Sequence, residues 1–160
     1  MKKLALLFSG LSLLVASGCS TSNDFVQEST IIGLWQPLKE VVTVVKIDEQ
    51  PVSDVITYTD CQKMSRWWFS NETTGKRIDV KDPAVPGPCD IQPDSNFTYS
   101  YDKESKAVVM KVQGVVEPVS AKVVTLDEKT LNLAVREETQ DPTVFKTRTY
   151  TFRRVDAQHE

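Results

Sequence analysis

Short segments in which apolar and polar residues alternate recur along most of this chain. Alternation with a period of two is typical of half-buried β-strands, because successive side chains of a strand point to opposite faces. The clearest segments each put large apolar residues on one face: Phe97, Tyr99 and Tyr101; Leu131, Leu133 and Val135; Tyr150 and Phe152. We expect these three faces to point into a common core.

The pattern predicts about eight strands, mostly joined by short turns. Pro37 should lie at a bulge or an edge, because proline cannot donate to a ladder. Residues 52–64 show no clean period and are interpreted as a long connection that could hold a short helix. Residues 82–94 contain four prolines and are interpreted as a loop. The predicted strand segments are 31–36 and 40–48 on either side of Pro37, followed by 66–69, 76–80, 96–101, 106–112, 119–126, 130–137 and 144–155.

An all-β fold follows, because no segment beyond residue 30 has a helical period. Evenly spaced short strands with hairpin links are typical of a sandwich or an up-and-down barrel. Eight strands also suit a barrel that holds a core or one small ligand. The pattern alone does not choose between the two architectures.

The N-terminal segment has the form of an export signal. Two lysines precede an apolar run over residues 4–15, and small residues lead directly to Cys19. About twelve apolar residues are too few to span a membrane, which needs roughly 20. The ending resembles the lipobox of bacterial lipoproteins, which implies removal of residues 1–18 and lipid attachment at Cys19. The alternative is an ordinary signal peptide that leaves Cys19 as an unmodified thiol.

Four parts are therefore predicted: a signal peptide (1–18), a flexible tether (19–30), a β-domain (31–155) and a polar tail (156–160). Residues 19–30 are polar apart from Phe25 and one valine, although a first strand there is the alternative. Ser20 follows the cysteine where aspartate is the familiar signal for inner-membrane retention. We therefore expect lipid anchoring in the outer membrane of a bacterial cell envelope.

Charge argues against nucleic acid as a partner. The net charge is −3, and removal of residues 1–18 takes away two lysines and no acid, which gives −5. Nucleic-acid binding depends on basic patches that face phosphate, and the basic residues here are scattered.

Cys61 and Cys89 remain once Cys19 is assigned to lipid. A cysteine pair in an exported chain favours a disulfide, and closing this loop would stabilise the fold by roughly 3–4 kcal/mol. A metal site or redox pair is the alternative, but it would need closer spacing or a nearby histidine. We predict a disulfide that pins two long loops across one end of the sheet as a partial lid.

Several of these features together resemble a known family. Gly33-Leu34-Trp35 is similar to the G-x-W signature of lipocalins, and residues 149–155 are similar to their closing strand with its basic residue. With the lipobox and the two cysteines, the chain resembles the lipocalin-like lipoproteins of Gram-negative, Bacteroides-type bacteria. The resemblance covers roughly residues 31–155. It implies a meandering eight-stranded barrel and no agreed ligand.

A barrel of this kind would bring its first and last strands together. The start of the first strand then meets the end of the last, which places Gly33 and Trp35 near Arg153 and Arg154. Arg154 shares a face with Tyr150 and Phe152, so we expect it to point inward and stack on Trp35. Such a contact contributes about 0.5–2 kcal/mol and would close the barrel floor.

Five aromatic residues are candidates to line a ligand pocket. Trp68 should point outward because it neighbours Trp67, unless the cysteine-bearing loops cover it. An exposed Trp68 would indicate a ligand or protein surface. The alternative for the five candidates is that they form only core. They are Trp67, Phe69, Phe97, Tyr99 and Tyr101.

The sequence contains few candidate catalytic residues. His159 is the only histidine and lies in the polar tail, so Ser-His and Cys-His nucleophiles and most zinc sites are excluded. Glu137, Glu138 and Asp141 could act as a carboxylate pair, but they are interpreted as solvated turn charges. No catalytic residue, metal site or cofactor is predicted, and we do not expect an enzyme.

Two candidate functions therefore remain, and a hydrolase is a less favoured third. The first is binding of a small hydrophobic or amphipathic ligand in the barrel, which a wide apolar cavity would favour. The alternative is a protein-interaction module, such as an inhibitor or a subunit of a surface complex. A barrel filled by its own side chains would favour that alternative.

Overall fold

The computed structural model describes residues 29–156, which form β-strands and one three-residue 3-10 helix, Gln62–Met64. The signal segment, Cys19, most of the tether and His159 lie outside the described residues. The strands are β1 (Gly33–Lys46), β2 (Val52–Thr57), β3 (Arg66–Phe69), β4 (Thr74–Ile78), β5 (Val80–Lys81), β6 (Asp90–Ile91), β7 (Ser95–Asp102), β8 (Ala107–Val112), β9 (Val119–Leu126), β10 (Thr130–Glu137) and β11 (Val144–Val155).

These strands close into an eight-stranded antiparallel barrel. From β3 the neighbours run β4, β7, β8, β9, β10 and β11, and β11 then pairs with β1. β2 and β3 both pair with β1, β3 along Gly33–Trp35 and β2 along Lys39–Val44, so they share one position in the barrel. The predicted all-β, up-and-down barrel is confirmed.

Pro37 lies at a break in the β1 register. The pairing of β1 with β11 shifts between Pro37 and Lys39, which leaves Leu38 as an extra residue. This confirms the predicted bulge, although β1 is one 14-residue strand rather than two segments. The bulge changes which residues face inward. Trp35 faces the core before it, and Glu40 is buried after it.

The interpretation of residues 52–64 as a connection is wrong in its first half. Val52–Thr57 is strand β2, and only the following residues form a loop with the 3-10 helix. All six β2 residues are exposed, so no buried face imposed an apolar period on them. The strand is held by its ladder with β1 and by a hydrogen bond between the Thr43 and Ser53 hydroxyls. Residues 82–94 also contain more than loop, because β6 pairs with β5.

The core is built from the inward faces of the barrel strands. Alternate residues of β7, β8, β9 and β10 are buried, and their intervening neighbours are mostly exposed. The three predicted apolar faces do converge on one core, with Tyr101, Val135 and Tyr150 partly buried at its margin. The buried members are Ile31, Trp35, Trp67, Phe69, Phe97, Tyr99, Val108, Met110, Ala121, Val123, Leu131, Leu133 and Phe152.

Cys61 and Cys89 form the predicted disulfide, with their Cα atoms 5.4 Å apart. It ties the turn before the 3-10 helix to the proline-rich loop. The Thr59 hydroxyl also donates to Asp82 at 2.7 Å, and the backbone N–H of Val80 donates to the Ser65 hydroxyl at 2.9 Å. These three links hold residues 58–65 against residues 79–89.

Candidate functional site

One end of the barrel, here called the closed end, is occupied by Trp35 and Arg154. The Arg154 guanidinium carbon lies 4.2 Å from the centroid of the Trp35 ring, and the two residues are register partners. The guanidinium also donates to the carbonyl oxygens of Thr30, Ile32 and Glu128. Burial lowers the pKa of Arg154. This arrangement agrees with the stacking expected from strand parity.

Gly33 makes this stacking possible. Its φ is +146°, in the region that favours glycine, and a Cβ added there would overlap the Arg154 guanidinium. The Trp35 indole N–H donates to the carbonyl oxygen of Ile31 at 2.8 Å. Gly33, Trp35 and Arg154 therefore form one packed unit at the closed end.

The five aromatic candidates for ligand contact lie on the inward faces, and most pack on one another. The Phe69 ring makes edge contacts with Phe97 at 5.3 Å and with Tyr99 at 4.9 Å between centroids. The Tyr99 hydroxyl donates to the carbonyl oxygen of Asn71, and burial raises the pKa of Tyr99. Tyr101 is partly buried beside this cluster. Side chains therefore fill this part of the interior.

Trp67 differs because it borders a cavity. Its ring contacts Tyr150 at 5.7 Å and Phe152 at 5.2 Å between centroids. Trp67 and Tyr150 both line a cavity of about 300 Å³, here called the opening, which lies further along β1 from the closed end. Its lining comes from inward residues of four barrel strands and from the disulfide-linked segments. The lining residues are Pro37, Glu40, Tyr58, Gln62, Ser65, Trp67, Arg77, Asp79, Val80, Lys81 and Tyr150.

Glu40, which lines the opening, belongs to a buried ion pair. Glu40 is only 7% exposed and accepts hydrogen bonds from the Arg148 guanidinium and, at 2.7 Å, from the Tyr58 hydroxyl. Arg148 also donates to Glu137, which forms a second ion pair with Lys146 at 2.7 Å. A buried charge is tolerated only when it is paired in this way.

The electrostatic environment shifts the pKa of several of these groups. Burial raises the pKa of the Tyr58 hydroxyl, and the hydrogen bond to Glu40 raises it further. The hydrogen bond with Glu137 raises the pKa of Arg148. Hydrogen bonds from Arg148 and Lys146 lower the pKa of Glu137. Tyr58 is thus neutral at ordinary pH, and Arg148 and Glu137 are charged.

The rest of the lining combines aromatic and charged groups. The Arg77 guanidinium carbon lies 4.8 Å from the centroid of the Trp67 ring, and Arg77 donates to Asp79 at 2.8 Å. Burial raises the pKa of Tyr150. Tyr150 lines the opening, and its hydroxyl forms no hydrogen bond with another of the described residues. The opening therefore offers aromatic surface, paired charges, the exposed Lys81 and one hydroxyl with unused bonding capacity.

Sequence reasoning missed most residues of the opening. Only Trp67 was a candidate ligand contact, whereas Glu40, Tyr58 and Arg77, which line the opening, and Arg148, which pairs with Glu40, were not. Arg148 has the same parity as Tyr150, so the alternation of β11 could have found it. The assignment of Glu137 to a solvated turn is wrong, because it ends strand β10 and pairs with Arg148.

Trp68 lies outside the barrel, as predicted from its neighbour. It is 47% exposed, so the disulfide-linked loops do not cover it. It lines a separate, larger cavity of about 640 Å³ on the outer wall.

Two features are absent from residues 29–156. No group of three or more histidine, cysteine or acidic side chains is arranged to hold a metal ion. In this same part of the chain, no helix has the length and apolar character needed to cross a membrane.

Comparisons with known proteins identify the family of this chain. A search of curated proteins finds no match. Among solved structures, lobster apocrustacyanin A1 is similar, with 11% sequence identity and a TM-score of 0.47 over 81% of this chain. The chain spans 63% of the length of that structure. The family model described as the lipocalin-like domain matches residues 31–133, and the chain therefore belongs to the family of lipocalin-like domains.

Proposed function

We propose that this protein is a lipid-anchored cell-envelope protein that binds a small amphipathic ligand at the opening of its barrel. Lipocalin-like barrels are in general suited to small-ligand binding and are not typically enzymes. The single observation that supports a site there is the cavity of about 300 Å³ lined by Trp67 and by Tyr150, whose hydroxyl forms no hydrogen bond with another described residue. Small-molecule sites usually combine apolar walls with a few placed polar groups in this way.

The charges of the opening restrict the polar part of the ligand. Glu40 is paired with Arg148, and Arg77 is paired with Asp79. Because these ions already compensate one another, and because Lys81, the remaining charged residue of the lining, is exposed to solvent, a ligand need not bring net charge to bind. An apolar or aromatic body would contact Trp67 and Tyr150, and a hydroxyl or amide would reach the Tyr150 hydroxyl. This is a narrower form of the small hydrophobic or amphipathic ligand expected from the sequence.

Titration with an uncharged amphipathic fluorophore tests the proposal. We expect saturable binding that Tyr150→Leu weakens about tenfold or more, since the variant loses both ring area and hydrogen bond. Tyr101→Leu is the matched control, because Tyr101 is also partly buried but lies away from the opening. Binding that Tyr101→Leu or Tyr99→Leu abolishes with an intact circular dichroism spectrum would instead place the ligand in the aromatic row. No saturable binding would refute the proposal.

The packed aromatic part of the interior is the observation that favours the alternative, a protein-interaction module. Phe69, Phe97 and Tyr99 leave no room between their rings for a ligand. Crosslinking of the protein in its own membrane, followed by mass spectrometry, separates the two functions. One stoichiometric protein partner in the absence of any copurified small molecule would favour the interaction module.

Anchoring through Cys19 and an outer-membrane location rest on the N-terminal sequence. The Cys61–Cys89 disulfide supports export, because such bonds persist in oxidising compartments. Two or more acyl chains would hold the protein stably, at roughly 0.8 kcal/mol per buried methylene. We expect Cys19→Ala to release the protein into the soluble fraction. Continued membrane retention of that variant would contradict the proposal.

A further inference from the structure

The outer wall of the barrel carries a second cavity, here called the outer groove, that the ligand proposal does not use. It has a volume of about 640 Å³ and lies across strands β3, β4, β7 and β8. Trp68 is its large aromatic residue and remains half exposed. An exposed tryptophan beside a concave surface is a common mark of a binding site.

Strand register aligns the polar side chains of the outer groove in two rows. Trp68 pairs with Lys76, and Lys76 pairs with Asn96. The Asn96 amide donates to the Gln113 side chain at 3.3 Å, which extends this first row. The second row pairs Thr74 with Thr98 and Thr98 with Lys111. A flat aromatic face thus continues into amides and hydroxyls, groups that can both donate and accept.

The charge of the outer groove has one sign. Its lining holds two lysines and no acidic residue, on a chain whose net charge is −3. Lys76 forms an ion pair with Asp94 at the margin. Lys111 has no ion-pair partner among the described residues. An anionic group on the ligand would complement Lys111.

We propose that the outer groove binds an acidic saccharide. One face of a sugar ring carries C–H groups that would stack on the Trp68 indole. The hydroxyls at the ring edge would exchange hydrogen bonds with Asn96, Thr98 and Gln113, and a uronic carboxylate would pair with Lys111. The outer groove is distinct from the opening, so each of the two proposals is tested independently of the other.

Other extended polymers fit the outer groove less well. A peptide adding to the sheet needs a free strand edge, but the strands under the outer groove are paired on both sides. A nucleic acid would place many phosphates against two lysines on an acidic protein. A membrane surface would meet the exposed Val115 and Val116 but would leave the amide row of a concave groove unfilled.

Calorimetric titration of the full-length protein tests the proposal. The probes are tetrasaccharides of galacturonate, of alginate and of hyaluronan, each compared with its carboxyl-methyl ester, which is neutral. We expect at least one acidic tetrasaccharide to bind saturably and its ester to bind about tenfold more weakly, the difference that one charge-assisted hydrogen bond supplies. Lys111→Gln should remove that difference.

Substitutions at the aromatic platform complete the test. Trp68→Ala should abolish binding of acid and ester alike, whereas Trp68→Phe should retain part of it. Phe145→Ala is the matched control, because Phe145 is an aromatic residue of similar exposure, 43%, outside the outer groove. The proposal is overturned if none of the three acids binds, or if folded Trp68→Ala binds as the wild type does. Binding only to anionic vesicles would also overturn it and would assign the surface to the membrane.

Discussion

Replacing Arg148 by methionine would leave the Glu40 carboxylate buried without a cation. Glu40 is 7% exposed, and its remaining partner would be the Tyr58 hydroxyl. Breaking a fully buried ion pair from one side costs about 3–5 kcal/mol, because the surviving charge is uncompensated. The Arg148 side chain keeps 24% exposure, so water partly relieves this cost. We expect a loss of about 2–4 kcal/mol in the free energy of unfolding.

Urea denaturation near neutral pH, followed by tryptophan fluorescence with the disulfide intact, measures this loss. Lys146→Met is the matched control, because Lys146 also lies on β11 and pairs with Glu137 but is more exposed. That variant should lose no more than about 1 kcal/mol. In a double-mutant cycle, Glu40→Gln should lower the free energy of unfolding less in the Arg148→Met background than in the wild-type protein. The reasoning would be refuted if Arg148→Met cost no more than Lys146→Met.

Three further predictions concern the packing and titration of the barrel. Gly75→Ala should lower the free energy of unfolding by about 1–3 kcal/mol, because a Cβ there would overlap the Phe97 ring. Urea denaturation measures this, and an unchanged midpoint would contradict it. Arg154→Met should lower the free energy of unfolding by about 2–3 kcal/mol, since it removes the stacking on Trp35 and hydrogen bonds to backbone carbonyls. A smaller loss in the same assay would rule out a role for Arg154 in closing the barrel. Glu137 has a pKa lowered from 4.5 in the folded state, so its stabilisation is present above that value and is lost as the pH falls through the lowered pKa. The fall in urea midpoint between about pH 6 and about pH 3.5 should therefore be smaller in Glu137→Gln, and an equal fall would argue against the shift.

The barrel could be predicted because most of its strands have one buried and one solvated face. In β7, Phe97 and Tyr99 are buried while Asn96 and Thr98 are exposed, so the alternation is visible in the sequence. The same holds for β10 around Leu131 and Leu133. Strand parity also places Arg154 over Trp35, because the first and last strands of an even-numbered barrel must meet.

Strand β2 could not be predicted because nothing buries it. Val52 and Val55 point to opposite faces and both are exposed, so the apolar residues carry no information about a core. The segment is a strand because the second half of β1 offers a free edge that β3 does not reach. Its conformation is therefore determined by a partner rather than by its own residues.

The opening could not be predicted because one extra residue reverses the alternation of inward and outward side chains along β1. Counting by twos from Trp35 places Pro37, Lys39 and Val41 inward, which puts Glu40 outside in solvent. The bulge at Leu38 reverses this and turns Glu40 inward, opposite Tyr150 and beside Arg148. Valines at 41, 42, 44 and 45 supply apolar side chains to both faces, so the sequence cannot reveal the reversal. A proline that predicts a bulge thus predicts a change of face, and the polar residues just beyond it are the first to consider for a site inside a barrel.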